Sequence, residues 1–194
     1  MEAEEKARAA LDQMFLDAFG KSDDDQMMIT LRQIADGEDD IEVPEELMNE
    51  ETEGLDETNL FKLIAEMGIP QKIKLAMFGN KVARGLLIRD PNRQVALFVL
   101  QNSRLRDGEI IDFAKNPNLD EQIHRAIARN TGWMKSYEMK ISLVSNPKAP
   151  LDLTMKLVKH LHEKDLKKLA KSKNISSAIA TQCKKMAEKR NKKK

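Results

Sequence analysis

Apolar residues recur along this chain at helical spacing, in short bursts cut off by Asn, Asp, Gly and Pro. Ala9, Leu11, Met14, Phe15, Ala18 and Phe19 fall near one face of a helix predicted over residues 3–19, with Gly20 as its stop. A second is predicted over 26–35, carrying Met28, Ile29, Leu31 and Ile34. After an acidic stretch, Asp56 is placed to cap a helix whose stripe is Leu60, Leu63, Ile64 and Met67. Gly68 ends it, and Pro70 stands where the first turn of the next begins. Further helices are predicted up to Gly79 and over 81–89, 93–101, 120–129, 137–145, 151–161, 164–171 and 175–189; Asp107 is read as the cap of one more, E-I-I-D-F-A-K. Helices of roughly 8–11 residues do not persist alone in water, so each must bury its stripe against a neighbour.

One phrase is written four times within this pattern. It reads L-L-I-R-D-P-N at 86–92, I-D-F-A-K-N-P-N at 111–118, S-L-V-S-N-P-K at 142–148 and K-L-A-K-S-K-N at 168–174. Asp90, Asn116, Asn146 and Ser172 align at steps of 26, 30 and 26 residues. Asn and Asp tolerate turn geometry and cap the following helix, and a proline just after them ends the preceding one. A period of this length predicts stacked helix pairs in place of one globular nucleus. The expected fold is all-α, an α-solenoid of short helix pairs with an N-terminal helical arm.

The cadence D-P-N-x-x-V at 90–95, A-x-x-x-N at 126–130 and N-P-x-x-P-L at 146–151 resembles the leucine-rich repeat variant. That family is a helical relative of HEAT and armadillo repeats, and the likeness spans about residues 72–185. It implies a HEAT/armadillo-like superhelix that serves as a binding scaffold. Two turns depart from the pattern: Asn130-Thr131 lacks the proline, and Ser172-Lys173 replaces Asn-Pro.

Charge divides the chain. Residues 1–60 hold 20 acids and 4 bases, and the remaining 134 hold 12 acids and 29 bases, so a net charge of +1 conceals opposite ends. The expected organisation is a helical segment over 1–35, an acidic flexible linker over 36–55, a helical-repeat domain over 56–190 and a basic tail over 191–194. No apolar run reaches membrane-spanning length. A single cysteine and an opening M-E-A-E-E-K-A-R without a basic-then-apolar leader fit a cytoplasmic setting.

Catalytic chemistry is hard to find. His160 and His162 stand two apart, which on a helix sends them to different faces and makes a poor metal pair. Cys183 lies on a stripe with Ile179 and Met186 and reads as a buried thiol. No phosphate-binding glycine loop, dinucleotide fingerprint or H-E-x-x-H stretch occurs, and the acid runs at 23–28 and 36–40 fail the calcium-loop pattern. No enzyme and no cofactor are expected.

The basic residues carry the functional expectation. Arg84, Arg89, Arg93, Arg125 and Arg129 recur at repeat-like intervals, and Lys167, Lys168, Lys171, Lys184 and Lys185 crowd the C-terminal third. Trp133, four residues before Tyr137, is either packing or an aromatic anchor. Together they predict a cationic surface that docks an acidic protein. Non-specific nucleic-acid binding is the alternative, and a shortage of aromatics counts against reading single strands. The acidic N-terminal arm could fold back on the basic face and compete with outside anions, and residues 3–35 could mediate self-association.

Overall fold

The computed structural model describes residues 25–50 and 57–191. Among these the secondary structure is helical throughout, with no strand. Eleven α-helices follow in order: α1 Asp25–Asp36, α2 Glu57–Glu66, α3 Ile69–Phe78, α4 Lys81–Leu87, α5 Arg93–Val99, α6 Asp107–Lys115, α7 Glu121–Arg129, α8 Tyr137–Ser145, α9 Leu151–Leu157, α10 Glu163–Leu169 and α11 Ser177–Asn191. The helix expected over 3–19 and the Asp56 cap lie outside the described residues.

The helices stand where the turn residues put them. Side-chain oxygens of Asn80, Asn92, Asp120 and Ser136 accept N–H groups in the first turns of α4, α5, α7 and α8, donors that have no partner within the helix itself. Asp107 is the exception. It lies inside the first turn of α6, and Glu109 caps by accepting from the Arg106 N–H at 3.1 Å. The four aligned turn positions all make one bond. Each accepts from the N–H two residues on: Asp90 from Asn92 at 2.7 Å, Asn116 from Asn118 at 2.9 Å, Asn146 from Lys148 at 2.9 Å, Ser172 from Asn174 at 3.2 Å. Ser172 thus does with a hydroxyl what the others do with a carbonyl or carboxylate oxygen.

The chain divides into two compact units between Arg104 and Leu105, a break inside the stretch expected to be one helical-repeat domain. In unit 1, α3 packs on α1, α4 and α5, and α4 packs on α5. Its core includes Leu31, Ile34, Ile73, Leu75, Ala83, Val95 and Phe98. In unit 2, α6 packs on α7 and α8, α8 on α9, α9 on α11 and α10 on α11. Ile110, Ile123, Ile127, Leu143, Val158, Leu166 and Cys183 are buried there. The pairs α1–α3, α3–α5, α6–α8 and α9–α11 join helices two apart in sequence.

Residues 37–50 do not behave as the solvated linker that their acidity suggests. A short 3-10 helix spans Glu45–Leu47, Leu47 is fully buried, and Asn80 donates its backbone N–H to the Leu47 carbonyl at 2.8 Å. Burial of one leucine contributes about 1.5–3 kcal/mol, and satisfied carbonyls remove the usual penalty for docking a loop.

Candidate partner-binding site

Of the residues expected to form the cationic surface, Arg84, Arg89 and Arg93 lie in unit 1 and the remaining eight in unit 2. Arg84 is not a surface residue. Its side chain is 0% exposed, and it donates to Glu50 Oε1 at 3.0 Å and to the Gly79 carbonyl at 2.9 Å. A fully buried guanidinium can persist only with such partners. On α4 it faces Glu50, a partly exposed acid 34 residues earlier in the chain. Arg89 and Arg93 are exposed on either side of the Asp90 turn. Asp90 itself is held by Lys72 at 3.0 Å.

In unit 2 the arginines separate into two kinds. Arg125 is clamped: it bonds Glu121 within α7 at 2.7 and 2.9 Å, and its fork meets both oxygens of Asp152 at 2.9 and 3.1 Å. The hydrogen bonds from Arg125 hold the Asp152 carboxyl below its ordinary pKa, and those to Asp152 and Glu121 raise that of Arg125. A side chain so engaged orders the α7–α9 neighbourhood and offers little to a ligand. Arg129 is exposed at the end of α7. Trp133 sits half-buried in a short 3-10 helix, Trp133–Lys135, whose entry is held by Asn130 accepting from the Gly132 and Trp133 N–H groups.

Tyr137 answers the packing half of the aromatic expectation. Its ring lies against His162 with centroids 4.2 Å apart, its hydroxyl donates to Asp165, and it accepts the His162 N–H at 3.0 Å. Burial, then the bond to Asp165, raises the tyrosine pKa. His162 contributes a ring face and its main-chain N–H to this contact while staying exposed.

The lysines remain. Lys168, Lys171, Lys184 and Lys185 are exposed, and Lys167 is exposed but paired with Glu163 at 2.6 Å. Ser172, Lys173, Thr181 and Lys184 line an open groove of about 440 Å³ between the end of α10 and the first half of α11. Arg190, on the same helix, is used internally: it donates to the Lys159 and Leu161 carbonyls, which close the 3-10 helix Val158–His160. Cys183 is buried, which pushes its thiol pKa up and keeps it protonated. Among the described residues no three His, Cys, Asp or Glu side chains gather at metal-binding distance, and no helix is long and apolar enough to cross a membrane.

Sequence reasoning missed the residues that hold the acidic segment. Lys74, Gln71, Asn80 and Arg104 reach partners 29 to 56 residues away, a separation that no local pattern signals. Compared with known proteins, the chain matches no family model, no curated protein and no solved structure.

Proposed function

We propose that this protein is a non-enzymatic binding scaffold, a helical-repeat solenoid of the leucine-rich repeat variant kind, that docks an acidic protein through the lysines of α10 and α11. The carrying observation is the exposure of Lys168, Lys171, Lys184 and Lys185, with Lys184 lining an open groove, on or just after helices whose apolar faces are used internally. The stacking reading draws support from the common turn at Asp90, Asn116, Asn146 and Ser172, and from packing between helices two apart. Bases concentrated this way raise encounter rates with acidic partners and give a salt-sensitive affinity. A nucleic-acid backbone is the alternative partner. It is disfavoured because Tyr137, an aromatic available in principle for stacking, is taken up by Asp165 and His162.

The test is a titration of the full chain against a fluorescent glutamate-rich polypeptide and against random-sequence duplex DNA, at low and high salt. The acidic polypeptide should bind, and Lys168→Glu with Lys171→Glu, Lys184→Glu and Lys185→Glu should weaken it about ten-fold or more, as expected when several counter-charges are reversed. Tighter binding of duplex with a steep salt slope would transfer the proposal to nucleic acid. Binding of neither at low salt overturns it.

A further inference from the structure

The contacts that hold residues 39–50 against the helices of unit 1 run in one direction. Lys74 Nζ donates to Asp39 Oδ1 at 2.7 Å and to the Ile41 carbonyl at 2.8 Å. Gln71 Nε2 donates to the Glu42 carbonyl at 3.0 Å. Asn80 gives its side-chain amide to the Glu46 and Asn49 carbonyls at 2.8 and 2.7 Å, and its backbone N–H to Leu47. Arg104 reaches the Met48 carbonyl at 2.7 Å, and Arg84 pairs with Glu50. The helical array supplies donors; the segment supplies main-chain carbonyls, a carboxylate near each end and one buried leucine. The side chains of Glu42, Glu45 and Glu46 stay exposed.

This is chemistry by which a groove holds a peptide, here an irregular stretch that ends in the 3-10 turn Glu45–Leu47. Carbonyl contacts give affinity whatever the sequence, while the leucine seat and the two carboxylate positions give selectivity. The bed is also incompletely filled: an open depression of about 460 Å³ lies among Val43, Pro44, Leu63 and Met67. We propose that the donor row of Gln71, Lys74, Asn80, Arg84 and Arg104 is a receptor groove for an acidic peptide that takes up the same turn, occupied in the free protein by the chain's own residues 39–50, and that a partner segment of matching chemistry exchanges with them. Simple opening is costly, because it leaves buried Arg84 and Asn80 without these acceptors. Exchange avoids that cost, since the incoming strand restores the same bonds. A phosphate backbone is the poorer fit, having nothing for the seat of Leu47. The inference is independent of the lysine surface on unit 2.

A dye-labelled synthetic peptide of residues 37–50 tests it, titrated by fluorescence anisotropy against the full chain and against the full-chain variant Asp39→Asn/Leu47→Ala/Glu50→Gln. The tethered segment competes at an effective concentration on the order of millimolar. The loosened variant should therefore bind the peptide at least about ten-fold tighter than the unaltered chain. A peptide carrying Leu47→Ala should lose most of that affinity, and one carrying Val43→Phe should gain. No binding to a variant that keeps its helical circular dichroism, or equal binding to both chains, overturns the proposal, as does random duplex DNA displacing the peptide more effectively than unlabelled peptide. Should the triple variant lose helicity, hydrogen exchange on the unaltered chain decides. With excess peptide the chain's own amides at 39–50 should exchange faster, and unchanged rates at saturating peptide overturn the exchange mechanism.

Discussion

Two asparagines do the same work in the two units and are surrounded differently. Asn102, after α5, donates its amide to the Ala76 and Gly79 carbonyls at the end of α3, at 3.1 and 3.0 Å. Asn146, after α8, donates to the Ala114 and Asn116 carbonyls at the end of α6, at 2.8 and 3.1 Å. Each also accepts the N–H two residues on, so a single side chain closes its own turn and the end of the helix two before it. In unit 1 the neighbouring buried group is Arg84, a permanent cation sharing the Gly79 carbonyl. In unit 2 it is His124, whose Nε2 lies 2.9 Å from Asn146 Nδ2. One clamp sits beside a charge that never titrates, the other beside a ring that does. The units should therefore respond differently to truncation and to acid.

The largest effects belong to packing. Leu47→Ala should cost unit 1 about 2–5 kcal/mol, the range for emptying a fully buried leucine site, because Leu47 is part of the core despite its acidic neighbours. Leu151→Ala in unit 2, where the residue is 51% exposed, should stay within about 0.5 kcal/mol. Denaturant melts of the two variants, with hydrogen exchange to assign the loss to a unit, check the contrast. A small effect of Leu47→Ala would return residues 37–50 to the status of a solvated arm.

Asn102→Ala and Asn146→Ala come next, each at about 1–3 kcal/mol for carbonyls left buried and unpaired. The loss should be confined to unit 1 for the first and unit 2 for the second. Gly79→Ala should add to the first through sterics and not through backbone preference, since φ at Gly79 is −66°. A Cβ there would stand 2.3 Å from the Leu75 carbonyl oxygen and 2.9 Å from Ala83 Cβ.

These contrasts also mark what could be read from sequence. The turn code was legible because an Asx or Ser side chain bonds its own backbone two residues on, so the cause lies within the motif that displays it. The steps between Asp90, Asn116, Asn146 and Ser172 reflect one local geometry. The second job of Asn102 and Asn146, across 23 to 32 residues, leaves no local trace. Arg84 was misread for the same reason. Off an apolar stripe, a guanidinium looks like surface until the chain brings Glu50 to it. Mean composition likewise concealed Leu47, buried within an acidic stretch whose main-chain carbonyls are answered by Gln71, Asn80 and Arg104.

Acid should separate the units further. Burial lowers the pKa of His124, while backbone carbonyls of Asn116 and Asp120 and the charges of Asp120 and Glu121 pull the other way and lose. The folded value is therefore below the ordinary 6.5. With more protons bound by the unfolded chain, stability of unit 2 is fully present above that pH and falls as pH drops toward the folded value. The limiting slope is about 1.4 kcal/mol per pH unit for one group. The structural route is a donor conflict: a protonated Nε2–H would face the Asn146 amide hydrogens. Unit-resolved hydrogen exchange at pH 7 and pH 5, compared with His124→Gln, should show a slope in unit 2 that the substitution abolishes. Equal slopes in both units would remove His124 as the cause.

The smallest expected effect is at Arg125, and its smallness is informative. Arg125 makes as many side-chain polar contacts as Asn146, yet it is exposed enough for water and salt to screen them, and both of its acids are more than half exposed. Arg125→Gln should leave the melting temperature nearly unchanged. It should instead move a local quantity: the Asp152 carboxyl, held low by the guanidinium, should titrate closer to its ordinary value. Carboxyl-carbon NMR titration reads that shift, and added salt should reproduce part of it in the unaltered chain. A large melting shift with no change at Asp152 would mean that Arg125 acts through packing of its stem. Unit 2 would then hold its arginine much as unit 1 holds Arg84, and the contrast between the units would narrow to the histidine.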